Sequence, residues 1–419
     1  MEKRRSLCRR EFLKSVGAAG LFPFTAAAKV PNTGESPNNG KKGKSQGVPK
    51  RKLGKTGIEM PCLSLGTNRF YGDNLIVLRK AYELGVTHWD TSPGYGRGRS
   101  ESGIGEFIKK TPKSREKLLI STKATMARNL PHVEKLLMGS LRRMQTSYVD
   151  FFFGVHDMRH PAQLTDELRL WAIKAKKRGW IRYFGFSMHK NMSRSLLAAS
   201  KLDCIDVILV SYNFRLMQDA KMQKAIRACH EAGIGLIAMK TQGHGTGHAW
   251  ETHKGRHDIV TKADKKLINH LLKKGFTKGQ AKIKLVLENE KISSACVGVT
   301  NVGLLLSNVA AVMDKKKLSD ADMEVFAEYA RADCEGYCAG CADICDAAVK
   351  DVPYVSDIMR SLMYYKSYGD SRLARETFRQ IPAHVRQKLC TIDYSDAQAR
   401  CPQGLAIGKL VAEAAAKLS

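Results

Sequence analysis

The chain has 419 residues, 43% of them apolar, enough for one large domain and an accessory one. Its formal charge is +30, and residues 1–50, with eleven Lys/Arg and three Asp/Glu, hold only +8 of it, so the excess is spread along the chain and favours anionic partners in general. No nucleic-acid module is present, aromatics are not clustered with the basic residues, and no apolar run is long enough for a permanent membrane span, which sets aside nucleic-acid and integral-membrane functions.

Met1 to Lys14 reads MEKRRSLCRREFLK, and a weakly apolar stretch from Ser15 to Ala28 ends in the small-residue exit Ala26-x-Ala28. Basic head, apolar middle and small-residue exit predict a cleavable leader over residues 1–28. The run Arg9-Arg10-Glu11-Phe12-Leu13-Lys14 resembles the twin-arginine export signal. That resemblance implies a periplasmic protein exported already folded, with cofactor inserted beforehand. Residues 29–50, rich in Pro, Asn, Gly, Ser and Lys, read as a solvated linker.

From Arg51 the composition becomes globular. Arg51 to Met60 predicts a β-hairpin around a Gly-rich turn. Short apolar runs then recur at Cys62–Leu65, Thr87–Trp89, Leu118–Thr122, Val149–Val155, Ile181–Phe186, Val207–Ser211, Gly235–Met239 and Ala295–Val299. Helical patterns separate them. In one, Leu164, Leu168, Trp171, Ala172 and Ala175 share a face, and Gly85, Gly179 and Gly233 stand as helix stops. Eight strands alternating with helices predict an α/β fold, a (β/α)8 TIM barrel over residues 51–325 with an N-terminal β-hairpin and a C-terminal α-helical, cysteine-containing extension over 326–419. An open doubly wound sheet would favour Gly-x-Gly-x-x-Gly after its first strand, where this chain has Leu65-Gly66-Thr67-Asn68. The long interval after the seventh strand carries His244, His248, His253 and His257 among glycines; it reads as a flexible loop over the mouth and not as a metal site.

Polar residues close the strands. Asp90 ends the second and Tyr95 lies in its loop; Lys123 ends the third and His156 the fourth. In a barrel the four converge on one mouth. A tyrosine is a poor proton donor at neutral pH; an adjacent ammonium is expected to lower its pKa, a carboxylate to hold the ammonium, and a histidine to orient a carbonyl oxygen.

The motif Asp90-Thr91-Ser92-x-x-Tyr95-Gly96 with Glu101, followed by Lys123 and His156 in the next two units, resembles the aldo-keto reductase family from Arg51 to about Asn308. The resemblance implies Tyr95 as proton donor, Lys123 and Asp90 tuning it, His156 positioning substrate, and hydride from NADP or NAD lying across the mouth. It further implies cofactor contacts from Gly66, Thr67, Asp90, Ser187, His189, Tyr212 (stacking on nicotinamide), Lys240 (at the pyrophosphate), Gly298 and Asn308. Leu209 stands where the family has glutamine, and Gly298 and Leu304 where some members have the Lys and Arg that hold a 2′-phosphate, so NADP and NAD stay undivided. The expected substrate is a small aldehyde, ketone or sugar-like alcohol. A cofactor-holding sensor is the alternative.

Six of eleven cysteines follow residue 330: Cys334, Cys338, Cys341, Cys345, Cys390 and Cys401. Their spacing, with Cys401-Pro402, resembles a bacterial ferredoxin arrangement and implies one [4Fe-4S] cluster and an electron-transfer partner. The ligand set is Cys334, Cys338, Cys341 and Cys401, with Cys345 replacing Cys334 as the alternative. Disulfides in an oxidising compartment are the competing reading.

Overall fold

A computed structural model describes residues 47–68, 75–243, 266–267, 269–271, 273–332 and 337–419, with Ala332 described by its backbone alone. The leader, most of the linker, the four loop histidines and Cys334 lie outside the described residues.

Strands β1 (Lys50–Lys52) and β2 (Glu59–Pro61) pair antiparallel as the predicted hairpin. Lys50, expected in the linker, already belongs to it. Eight parallel strands then close a barrel in sequence order: β3 (Leu63–Gly66), β4 (His88–Asp90), β5 (Leu119–Thr125), β6 (Val149–His156), β7 (Ile181–Met188), β8 (Val207–Ser211), β9 (Gly235–Met239) and β10 (Ser294–Gly298). β10 pairs with both β9 and β3, so no edge is left open.

Alternation of side chains sorts the barrel. Phe151 and Phe153 point inward, where with Val207, Leu209, Ile237 and Cys296 they meet Leu53, Ile58 and Met60 of the hairpin. Phe152, between them, points outward to Trp171, 5.7 Å away between ring centroids. The hairpin is latched across the floor: Arg51 donates to the carbonyls of Leu287 (2.7 Å) and Ile292 (2.9 Å), and the Tyr183 hydroxyl to that of Thr56 (2.7 Å). With the floor shut, the barrel opens only at the C-terminal ends of its strands.

The helices follow from caps and stops in the sequence. The helix Asp166–Lys177 starts on Thr165, whose hydroxyl accepts from the Leu168 amide, and buries Leu168, Trp171, Ala172 and Ala175. Gly85, Gly179 and Gly233 all adopt positive φ (80°, 71° and 72°), as helix stops. The helix Asp320–Ala332 crosses residues 325 and 326, the boundary expected between barrel and extension, because Phe326, Tyr329 and Ala330 pack with Phe214, Leu271 and Leu285 of the barrel side.

Beyond Tyr337 come six short helices, at 342–348, 355–366, 371–378, 383–386, 395–399 and 407–418. They enclose their own apolar core around Ile358, Met359, Leu362, Phe378, Val385 and Val411. The helix Val355–Lys366, here α1, turns its other face to the barrel. There Lys190 and Arg360 meet Asp357 and Asp157: Lys190 Nζ lies 2.5 Å from Asp357 Oδ1, and Arg360 pairs with both aspartates. The extension therefore rests on the loops after β6 and β7.

Two glycines test this packing. A Cβ on Gly185 would lie 1.7 Å from the Val207 carbonyl oxygen in the neighbouring strand, whereas one on Gly179 would meet nothing within 4 Å. Gly185→Ala should destabilise at or beyond the ~1–3 kcal/mol usual for overpacking. Gly179→Ala should cost only the ~1–2 kcal/mol of a left-handed backbone. Urea unfolding of the two variants checks the order.

Candidate active site

Asp90 is the residue the mouth is built on. The β4–β5 register sets Asp90 beside Ser121, and Lys123 follows two residues on, facing the same way. Lys123 Nζ donates to Asp90 Oδ1 (2.9 Å), Asp90 Oδ2 (2.8 Å) and the Thr91 carbonyl (2.7 Å), which commits all three of its protons. Lys123 is 1% exposed and Asp90 4%. Breaking a pair buried so deeply costs ~3–5 kcal/mol, because the survivor keeps an uncompensated charge.

A buried polar chain lies behind the pair. Ser121 Oγ donates to Asp90 Oδ1 (2.7 Å), and His88 bridges Ser121 (3.1 Å) to Ser64 (2.8 Å), itself 2.5 Å from Ser294. Because Ser121 gives its proton to Asp90, His88 Nε2 is the donor to Ser121, and Nδ1 accepts from Ser64.

The loop after β4 is pinned from several sides. The Thr91 and Ser100 hydroxyls lie 2.8 Å apart, Ser100 donates to Thr67 (2.7 Å), and Thr67 donates to the Asp90 carbonyl (2.8 Å). Thr67, expected at the cofactor, is fully buried in this lattice. Glu101 is equally structural, accepting from Thr122 (2.7 Å) and from Arg143 Nε (2.7 Å). Tyr95 emerges from the loop into the mouth, with the Lys123 ammonium 4.5 Å from its ring centroid.

That geometry corrects one expectation. Lys123, its protons spent on Asp90 and Thr91, approaches the ring face of Tyr95. Burial, then the Asp90 carboxylate, hold the Tyr95 phenol well above the usual tyrosine range, against the pull of Lys240. Tyr95 is thus a firmly protonated phenol and not one eased toward ionisation.

A bulge aims His156. On β6, Phe153 faces Gly185 and His156 faces Ser187, so three residues of β6 span two of β7 and the alternation is rephased. His156 Nδ1 lies 2.5 Å from Ser187 Oγ. Burial, and then Lys123, push the His156 imidazole down to about 3, so it is neutral.

These groups line a cavity of about 790 Å³ together with Gly66, His189, Lys240, Gly298 and Asn308. Two helix N-termini open onto it. Asn301 caps one, accepting from the Leu304 amide (2.8 Å), and Thr277 caps the other in a box with Gln280. Their positive ends suit a diphosphate, and Gly298 carries no side chain to obstruct it, so the rim fits a dinucleotide.

Ser187 and Tyr212 are not brought to the cavity wall. Ser187 is buried behind His156. Tyr212 is a further correction: its ring is wholly buried outside the strands, its hydroxyl accepting from Gln223 and Asn289 (both 3.0 Å), so it offers no face to a nicotinamide. Leu209 sits in the core over the hairpin, not at the rim. Missing from the expectations are Arg360, Tyr364 and Tyr368, which α1 and its C-terminal end contribute to the opposite wall. Nothing local in that helical stretch signals that it faces a barrel 200 residues away in sequence.

A smaller cavity in the extension is lined by Cys338, Cys341, Cys345 and Cys401, with Ile344, Met359 and other apolar neighbours. All described cysteines are free thiols, and Cys390 stands exposed, apart from the four. Burial pushes Cys338 up to about 12. Among the described residues no three His, Cys, Asp or Glu side chains are grouped as around a metal ion.

The buried imidazoles fix an acid response. Burial pushes His88 down to about 3 as it does His156, and lowers His189 well below the ordinary value. A histidine depressed in the folded state adds stability above its unfolded pKa, near 6.5, and loses it as pH falls. Asp346, raised to about 6 by burial, has the opposite sign, losing stability as pH rises from 3.8. Three imidazoles outweigh one carboxyl, so urea midpoints should fall from pH 6.5 to 4.5, and fall less in His88→Gln. A flat profile would contradict neutral burial.

The sequence pattern of the Aldo/keto reductase family matches residues 63–331, ending before the six helices that follow Tyr337. An L-galactose dehydrogenase of Arabidopsis thaliana is 27% identical over 297 residues, covering 66% of this chain and 92% of its own. Among solved structures, a thermostable aldo-keto reductase in complex with the inhibitor epalrestat shares 25% identity at a TM-score of 0.53, over 67% of this chain and 99% of its own. The holo form of an aldo-keto reductase from Bacillus halodurans, at 19% identity and a TM-score of 0.54 over 67% and 96%, shares the fold. With the closed eight-stranded barrel and the family pattern running through every barrel strand, the chain belongs to the aldo/keto reductase family and is an oxidoreductase built on a (β/α)8 barrel.

Proposed function

We propose that the protein transfers hydride between NADP or NAD and a small aldehyde, ketone or sugar-like alcohol, with Tyr95 as proton donor. The observation that carries this is the convergence of Asp90, Lys123, Tyr95 and His156 on one cavity whose rim fits a dinucleotide. The nicotinamide, when bound, supplies or accepts the hydride. Tyr95, kept protonated by burial and by Asp90, gives its proton to the substrate oxygen as charge builds there. Lys123, 4.5 Å from the ring, stabilises the phenolate left behind, and Asp90 keeps Lys123 charged and in place. Neutral His156, braced by Ser187, hydrogen-bonds the same oxygen. The plant relative acting on L-galactose supports a polyhydroxylated substrate.

Tyr95→Phe should lower NADPH-dependent reduction of 4-nitrobenzaldehyde by at least ~100-fold, the range of general acid catalysis. Cofactor binding, read from quenching of protein fluorescence, should persist. Undiminished turnover would remove Tyr95 from the mechanism.

A second reading concerns the extension. Four thiols line one largely apolar pocket, and Cys338, Cys341, Cys345 and Cys401 form the alternative ligand set for a [4Fe-4S] cluster. Such a cluster is gripped from four corners, so its sulfurs stand wider apart than those around a single ion. Thiols held protonated by burial must give up protons on loading, which makes assembly pH-dependent. We place the protein in the periplasm, exported folded with both cofactors aboard. Protein prepared anaerobically from a periplasmic fraction should absorb broadly near 400 nm and release nicotinamide nucleotide on denaturation. A colourless preparation with stoichiometric free thiols would eliminate the cluster, and one that releases no nucleotide would eliminate a carried cofactor.

A further inference from the structure

The cavity has a second tyrosine–lysine pair, assembled across the mouth. We propose that Tyr364 is a specificity-determining residue that binds the hydroxyl on the carbon next to the substrate carbonyl, with Lys240 behind it, so that the enzyme selects α-hydroxy carbonyl compounds. This deepens the carbonyl reading of the mouth and rests on it.

The placement of Tyr364 follows from how α1 is docked. Arg360 pairs with Asp157, the residue after His156, and Tyr364 lies one turn further along the same helix face. Tyr364, Tyr368 and Arg360 line the cavity that Tyr95, Lys123 and His156 line from below. Lys240, at the end of β9, reaches up to them. Its ammonium lies 4.5 Å from the Tyr364 ring centroid and 5.1 Å from that of Tyr368, and donates to the Tyr364 hydroxyl at 2.9 Å. Among the described residues Lys240 has no carboxylate partner. Its ammonium faces the rings of Tyr364 and Tyr368 and, among the described residues, donates to the Tyr364 hydroxyl alone.

The hydrogen-bond direction decides what the subsite takes. Tyr364 Oη accepts from Lys240, so its own proton is left to donate into the cavity. Lys240, and after it Arg360, draw the phenol below the usual tyrosine range against the effect of burial, which makes it a strong donor. The Arg360 fork, the group in this wall suited to gripping a carboxylate by both oxygens, is already held by Asp157 and Asp357. A single O–H donor matches a single hydroxyl oxygen. Tyr95 and Tyr364 then hold adjacent oxygens of one substrate from opposite walls.

Propionaldehyde and lactaldehyde differ by that one hydroxyl and serve as probes for full-length enzyme with NADPH. The wild type should favour lactaldehyde in kcat/KM, and Tyr364→Phe should shrink that preference by on the order of tenfold, the worth of one buried hydrogen bond. Lys240→Met should shrink it in the same sense. A wild type with no preference, or a Tyr364→Phe variant that keeps it or loses both substrates in equal proportion, would overturn the subsite while leaving the hydride-transfer reading intact. A wild type inert toward both aldehydes would remove that reading and the subsite with it.

Discussion

A carboxylate and an ammonium, buried together where two strands end, constrain the rest of this molecule. Taking Asp90 and Lys123 out of water is costly, and the structure meets that cost by giving every charged atom a partner: Ser121 for the carboxylate, the Thr91 carbonyl for the ammonium. The partners must stay in register, so β4, β5 and the loop between Thr91 and Ser100 are held as one piece. The His88 chain extends that bracing across the barrel interior to β3 and β10. Tyr95 inherits its position from this arrangement. It also inherits its protonation, because the same burial and the neighbouring Asp90 carboxylate both disfavour a phenolate there.

A second set of ion pairs governs the shape of the cavity. Asp157 and Asp357, with Lys190 and Arg360 between them, fasten α1 beside His156. The cavity is therefore bounded below by a family barrel and above by helices that the family pattern does not reach. The thiol pocket shares the same anchorage: Gly340 packs on His189, where a Cβ would lie 2.2 Å from its carbonyl oxygen, and its own carbonyl accepts from the Asn191 amide at 2.7 Å. The cysteine loop and the active-site rim thus rest on one short segment after β7.

What the sequence determined by itself was everything carried by local periodicity and by order along the chain. The eight apolar runs, the hairpin, the glycine stops and the barrel that follows from them lie in short stretches, where hydrophobic spacing and turn chemistry act between near neighbours. The meeting of Asp90, Tyr95, Lys123 and His156 was legible for the same reason, since a barrel carries every strand end to one mouth. Tertiary structure alone decided which atoms answer which. Thr67 and Tyr212 stand at rim positions in sequence, yet their side chains are drawn into buried hydrogen bonds with Asp90, Ser100, Gln223 and Asn289. The sense of the Tyr95 shift depended on burial and the nearness of Asp90, and the aim of His156 on a bulge in β6. The wall built from Arg360, Tyr364 and Tyr368 depended on ion pairs between residues some 200 positions apart. Burial and long-range pairing set these outcomes, and neither leaves a pattern among neighbouring residues.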